Sequence, residues 1–351
     1  MKIIYRILVL TFITLIVGCE KDSYTFTDLD NQILFISRRV ENTADWYLMS
    51  MNGDGTNQKI ISKIDVRCEK PSPSNDGQKI VFTHYSENNT YELYLINTDG
   101  TNLTIIDTAN RYCGSADWSF DNTKVIYSKN RNPSTDERNL ILYDIITEEK
   151  KVLTANGDNY SAVFNKKNEI IFCNQSNSMQ SNIYKMNVDG SNMQLLITNA
   201  CNPVPSPNGK EIAYQSNIEN GSSQIFVAKS DGSDQKQLTT SYSSESWPGW
   251  PPAGNSDPQW TPNGNKIVYV SGEDGDPEIC IMASGGSNKS KLTNTNSRDE
   301  YPNISFCGQY ILFSSNRNIE MKSDIYIMDL NGNNQKCLTN YSGADIFPIE
   351  I

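Results

Sequence analysis

Polar and charged side chains recur at one place in this chain, about 45 residues apart and each time just ahead of an extended segment. They are Arg67 with Glu69, Arg111 with Tyr112, Asp158 with Tyr160, Asn202, Asp257, then Arg298, Asp299, Glu300 and Tyr301, and finally Asp345. Gathered around one axis, these carboxylates, guanidinium groups and phenols would grip a polar ligand or the charged end of a chain. The same groups would equally pair with one another and with water. A second candidate is the segment from Ser241 to Ser256, which sets Trp247 and Trp250 among Pro248, Pro251 and Pro252. Two indoles held by prolines offer flat apolar faces to sugar rings or to a proline-rich chain; packed inward, they would instead fill a gap between neighbouring repeats.

Catalytic chemistry is harder to assemble. His84, read as lying on a peripheral loop, is the single histidine, so a Ser-His-Asp triad would depend on it; no Gly-x-Ser-x-Gly elbow is present either. Asp299 and Glu300 are a carboxylate pair of the kind that cleaves glycosides, but adjacent residues on a strand point to opposite faces. Apart from Cys19, the cysteines (68, 113, 173, 201, 280, 307 and 337) show no CxxC spacing or zinc pattern. Cys68 and Cys113 occupy matching places in adjacent repeats, as a disulfide or as reduced buried thiols. Turns such as Asn52-Gly53-Asp54-Gly55 lack the spaced acidic ligands of a calcium loop. No catalytic residue, metal or cofactor is expected. The net charge of −11, without any Lys/Arg block, argues against nucleic acid as a partner.

The candidate residues need a frame, and the frame repeats. Seven compact apolar runs, from Ile33-Leu34-Phe35 to Ile311-Leu312-Phe313, are each followed by a second run such as Leu93-Tyr94-Leu95-Ile96 or Ile325-Tyr326-Ile327-Met328. Short β-branched and aromatic runs bounded by turn residues read as strands. Asp54-Gly55, Asp99-Gly100, Asp189-Gly190, Asp231-Gly232, Gly285-Gly286 and Asn331-Gly332 supply the positive φ of tight hairpins. Thr147-Glu148 must turn differently. A short strand such as Gln237-Leu238-Thr239 follows, and then one ending in Pro-Asn-Gly or Asn-Asp-Gly. Four strands per unit without helical periodicity make a small antiparallel sheet, and seven sheets covering one another make an all-β, seven-bladed β-propeller. The first unit lacks its leading strand and the chain ends on Asp345-Ile346-Phe347-Pro348-Ile349, which predicts a ring closed by the C-terminal strand; six blades is the alternative count.

The runs Pro258-Gln259-Trp260-Thr261-Pro262-Asn263-Gly264-Asn265-Lys266-Ile267-Val268-Tyr269 and Asp324-Ile325-Tyr326-Ile327-Met328-Asp329 resemble the TolB-like (PD40) propeller repeat. The resemblance covers nearly everything from residue 33 to 351. It implies a propeller that contacts envelope lipoproteins or peptidoglycan-associated partners. Some families with such repeats are enzymes, including oligogalacturonate lyases, whose histidine-rich metal site this chain cannot supply, and prolyl peptidases, whose hydrolase domain it lacks. The expected function is therefore non-catalytic binding of an envelope protein or a peptidoglycan or glycan ligand at the loop face and mouth of the propeller channel. The alternative is a carbohydrate-active lyase or hydrolase using channel carboxylates.

Lys2 and Arg6, an apolar stretch over residues 7–17, and Leu15-Ile16-Val17-Gly18-Cys19 resemble a bacterial lipoprotein leader, in which Cys19 is lipidated. The apolar stretch is shorter than the roughly 20 residues of a membrane span. This divides the chain into a signal peptide (1–18), a lipidated cysteine with its tether (19–31) and the propeller (32–351). It implies an outer-membrane lipoprotein of the cell envelope, periplasmic or surface-exposed, monomeric, and touching the membrane only through its anchor.

Overall fold

The computed structural model describes residues 31–38, 46–64, 70–86, 89–132, 136–175, 180–217, 222–240, 254–319 and 322–351. Cys19, Arg67, Cys68, Glu69, Trp247 and Trp250 lie outside the described residues. Among the described residues, 28 strands form seven four-stranded antiparallel sheets. Each sheet is a blade built from consecutive strands, except the first. There the chain's last strand, Asp345–Glu350, pairs with its first, Gln32–Ser37, in a register that sets Ile33 against Glu350 and Ser37 against Asp345. The ring is closed by joining the two ends of the propeller, and the count is seven blades.

What holds blade to blade is apolar packing. The middle strands are apolar on both faces because a neighbouring sheet covers each. At the closing seam, Ile33, Phe35, Met49 and Met51 of the first blade pack against Leu312, Ile325, Ile327 and Leu338 of the seventh. Ile33 and Phe35 are fully buried, and burying such a side chain contributes about 1.5–3 kcal/mol. The Leu-Thr pairs have a second role. Thr154, Thr239, Thr293 and Thr339 each accept the backbone N–H of the neighbouring strand (of Leu140, Ile225, Ile279 and Ile325) at 2.9 Å, so a buried hydroxyl pins the short outer strand.

The Asp-Gly hairpins are held the same way each time. Asp54, Asp99, Asp189 and Asp231 accept the N–H and the hydroxyl of the Thr or Ser two residues on, which holds their carboxyls below the ordinary range. Gly232 (φ +83°) is required twice over: a Cβ there would lie 2.4 Å from the Leu196 carbonyl oxygen of the preceding blade. In the third blade, Asp144 accepts the N–H groups of Ile146 and Thr147 and Glu148 takes the left-handed position (φ 60°).

One expectation needs correction: His84 is inside the strand Lys79–Tyr85, its ring edge-on to Tyr94 at 5.4 Å.

Candidate functional site

The innermost strand of each blade lines the central channel, and on six of the seven it is broken by the same device. Ser115, Ser161, Asn202, Asp257, Tyr301 and Phe347 all have left-handed φ, between 48° and 56°. At each, the pairing register slips by one residue. This is a β-bulge, which re-aims a side chain and bends its strand. Pro or Ala follows each time; the prolines at 203, 258, 302 and 348 have no N–H to leave unpaired. On the second blade Lys70 precedes Pro71 at the matching position. A left-handed conformation costs a non-glycine residue roughly 1–2 kcal/mol, and strain kept at one register around a ring is a reason to look for a site there.

Six of the seven positions, all but Tyr301, line a cavity. It has a volume of about 710 Å3 and is lined by Lys70, Ser115, Asp117, Ser161, Asn202, Asp257, Phe347 and Glu350 among others, extending toward the face of the Asn-Asp-Gly and Pro-Asn-Gly turns. Ser161 Oγ donates to Asn202 Oδ1 at 3.0 Å, and Asn202 Nδ2 donates to Gln215 at 2.8 Å. Tyr301 and Phe347 pack at a tilt of 54° with ring centres 4.3 Å apart. Trp118 and Trp260 brace the wall by donating to the Ser72 and Val204 carbonyls of the preceding inner strands, both at 2.9 Å.

The electrostatics follow from the enclosure. Lys70 and Asp257 are both exposed to channel water, yet protein surrounds them. Desolvation lowers the Lys70 ammonium and the Asp257 charge opposes this; desolvation likewise raises the Asp257 carboxyl, against a hydrogen bond from Ser256 and the Lys70 charge. Desolvation pushes Asp117 up to about 6, although it accepts the Phe164 N–H at 2.7 Å. Glu350 accepts from the Phe306 N–H and from Asn31 Nδ2 at 3.1 Å.

The structure sorts the residues singled out in the sequence into two groups. Asp257 and Asn202 line the cavity, and Tyr301 holds the same bulge position beside it. The other described ones do not. Asp158 is gripped by Arg138, Nε to Oδ1 at 2.7 Å and Nη2 to Oδ2 at 2.6 Å. The same guanidinium lies 5.1 Å from the ring of Tyr112 and 4.7 Å from that of Tyr160. Arg111 pairs with Asp136, and Arg298 with Glu300, each at 2.6 Å. Asp299 is fully buried and takes Arg317 Nη2 at 2.9 Å, with that guanidinium 4.6 Å from the Tyr326 ring. Asp345 is fully buried at the start of the closing strand. Sequence reasoning missed Arg138 and Arg317, which come from different strands than the carboxylates they hold. It also missed Lys70, Ser115, Ser161 and Phe347, for which a signal existed: a residue just before Pro or Ala at one register of every repeat.

Comparison with known proteins fits this architecture. A family model described as the TolB beta propeller domain (PD40) matches residues 26–254. A curated relative, an uncharacterized protein of Agrobacterium fabrum, is 27% identical over 143 residues, so the match covers 41% of this chain and 44% of that protein, less than half its length. Among solved structures, TolB from Acinetobacter baumannii aligns over 91% of this chain and 82% of its own with TM-score 0.56 and 18% identity. The β-propeller domain of the Trilobed protease from Pyrococcus furiosus, described as an open velcro topology, aligns over 89% and 93% with TM-score 0.66 and 14% identity. Oligogalacturonate lyase from Vibrio parahaemolyticus aligns over 89% and 87% with TM-score 0.61, also at 14% identity. Likeness at these identities is likeness of fold. Here, unlike the open topology, the ring is closed by strand pairing.

Proposed function

Since the chain belongs to the TolB beta propeller (PD40) family, we propose that it is a lipid-anchored, non-catalytic binding protein of the bacterial cell envelope, taking a segment of a protein partner or a peptidoglycan or glycan fragment into its channel. One observation carries this reading: equivalent, strained inner-strand positions present different side chains around a cavity of about 710 Å3. That volume is within the range of small-ligand pockets, roughly 300–1,000 Å3. A scaffold that keeps the backbone constant and varies the side chain at each blade is suited to recognition. In this reading residues 1–18 are removed, Cys19 carries the lipid at the outer membrane, and residues 20–31 tether the propeller.

Hydrogen-exchange mass spectrometry with candidate envelope peptides and peptidoglycan fragments tests the site. Slowed exchange is expected in the inner strands around 115–117, 161–163, 202–204 and 257–259; slowing confined to the outer strands would overturn the channel as the site. Turnover of an oligosaccharide that disappears in Asp257→Asn would favour the carbohydrate-active alternative. Anchoring is tested separately by the mass of the N-terminal peptide, where acyl chains on Cys19 are expected and an unmodified or uncleaved N-terminus would refute them.

A further inference from the structure

The channel holds two opposite charges that the fold leaves without close partners. Lys70 makes no salt bridge among the described residues, and Asp257 accepts one hydrogen bond, from Ser256 Oγ at 3.2 Å. Other cavity carboxylates are engaged: Asp117 by the Phe164 N–H, Glu350 by the Phe306 N–H and Asn31. Lys70 stands on the second blade and Asp257 on the sixth. The two blades between them, the seventh and the first, line the cavity with Ile304, Phe306, Phe347 and Ile349, and Tyr301 packs at a tilt on Phe347. The arc between cation and anion is therefore apolar.

Chemistry restricts what such an arc accepts. A neutral ligand filling the cavity would displace water from both charges and return nothing to either, and a singly charged ligand would leave one of them stranded. A ligand with both charges and an apolar body between them satisfies all three features. Resting on the channel reading above, we propose that the cavity binds a short peptide with both termini free. Its carboxylate meets Lys70, its ammonium meets Asp257, and an apolar side chain lies against Phe347 and its apolar neighbours Ile304 and Ile349.

The test is calorimetric titration of the full chain in detergent with the tripeptide Ala-Phe-Ala in four forms: free, N-acetylated, C-amidated and capped at both ends. The free form is expected to bind, and capping either end to weaken it ten-fold or more. In Lys70→Gln the penalty for amidation should vanish while that for acetylation stays; in Asp257→Asn the reverse should hold. That crossed pattern cannot come from a merely misfolded variant, and circular dichroism of both variants should match the parent. Equal binding of free and capped peptides would overturn the zwitterion. So would binding of a peptidoglycan glycan in the channel with no peptide binding, though the channel reading would then stand. If neither class slows exchange in the inner strands, both fall together.

Discussion

The charges at the loop-face ends of the inner strands and those in the channel ring lie within two residues of each other along the chain, yet they behave oppositely. Asp299, the first residue of its strand, is fully buried and bound by Arg317. Tyr301, two residues on at the bulge, is exposed. Likewise Asp158 is forked by Arg138, while Asp257 of the sixth blade faces channel water with a serine beside it. Charges at the rim are neutralised by the fold and so serve architecture. Those presented by the bulge are left for something else. Being charged and near the axis is therefore a weak sign of a binding residue; lacking an internal partner is a better one.

The largest perturbation should be loss of the seam that aligns both rings. Ending the chain at Asn340 removes Asp345–Glu350 and bares the inner edge of Gln32–Ser37. We expect a fall of more than about 10 °C in Tm by calorimetry, since each kcal/mol moves a domain of 150–250 residues by roughly 2–4 °C and a larger one by less. An unchanged transition would refute strand-mediated closure. Next comes Asp299→Ala, which strands Arg317 beside Phe313 and Tyr326. Breaking a buried pair by removing one member costs about 3–5 kcal/mol, read by urea unfolding; a cost under about 1 kcal/mol would place Asp299 with the channel charges instead.

Asp117 gives an intermediate, pH-dependent effect. Its carboxyl is raised to about 6 in the folded chain from 3.8, so between these values the folded state holds the proton more tightly than the unfolded one. Stability from this group is thus full below pH 3.8 and falls as pH rises through 6, by about 3 kcal/mol. Asp117→Asn, which keeps an acceptor for the Phe164 N–H, should flatten that slope in urea midpoints taken from pH 4 to 7. An unaltered slope would remove Asp117 from the account. Arg138→Met should cost less, about 1 kcal/mol, because both members of its pair remain partly solvated. Smallest of all, Lys70→Gln and Asp257→Asn should stay within about 0.5 kcal/mol of the parent. A large loss from either would make the ring another piece of architecture.

The sequence made the fold readable because a propeller repeats its instructions. Leu-Thr, Asp-Gly and the paired apolar runs recur, and the orphan strand at Asp345 points to the incomplete first blade. The site was only partly readable. Strict alternation puts Asp299 and Tyr301 on one face, and the left-handed residue with its slipped register undoes that inference. Period two fails wherever a bulge intervenes. The recurrence of Lys70-Pro71, Asn202-Pro203, Asp257-Pro258, Tyr301-Pro302 and Phe347-Pro348 marked the place, but a proline there reads as a strand edge until the pairing is seen. Arg138 and Arg317 were out of reach for a different reason: Arg317 meets Asp299 of the paired strand in its own blade, Arg138 meets Asp158 of the next blade, and no local pattern announces either contact.

Closing the ring with its final strand also sets an order of events. The inner edge of Gln32–Ser37 has no strand partner until Asp345–Glu350 is in place, so until then the propeller is an open, spring-like array. Every other blade can form before that seam does, so closure comes last among the steps that build the ring.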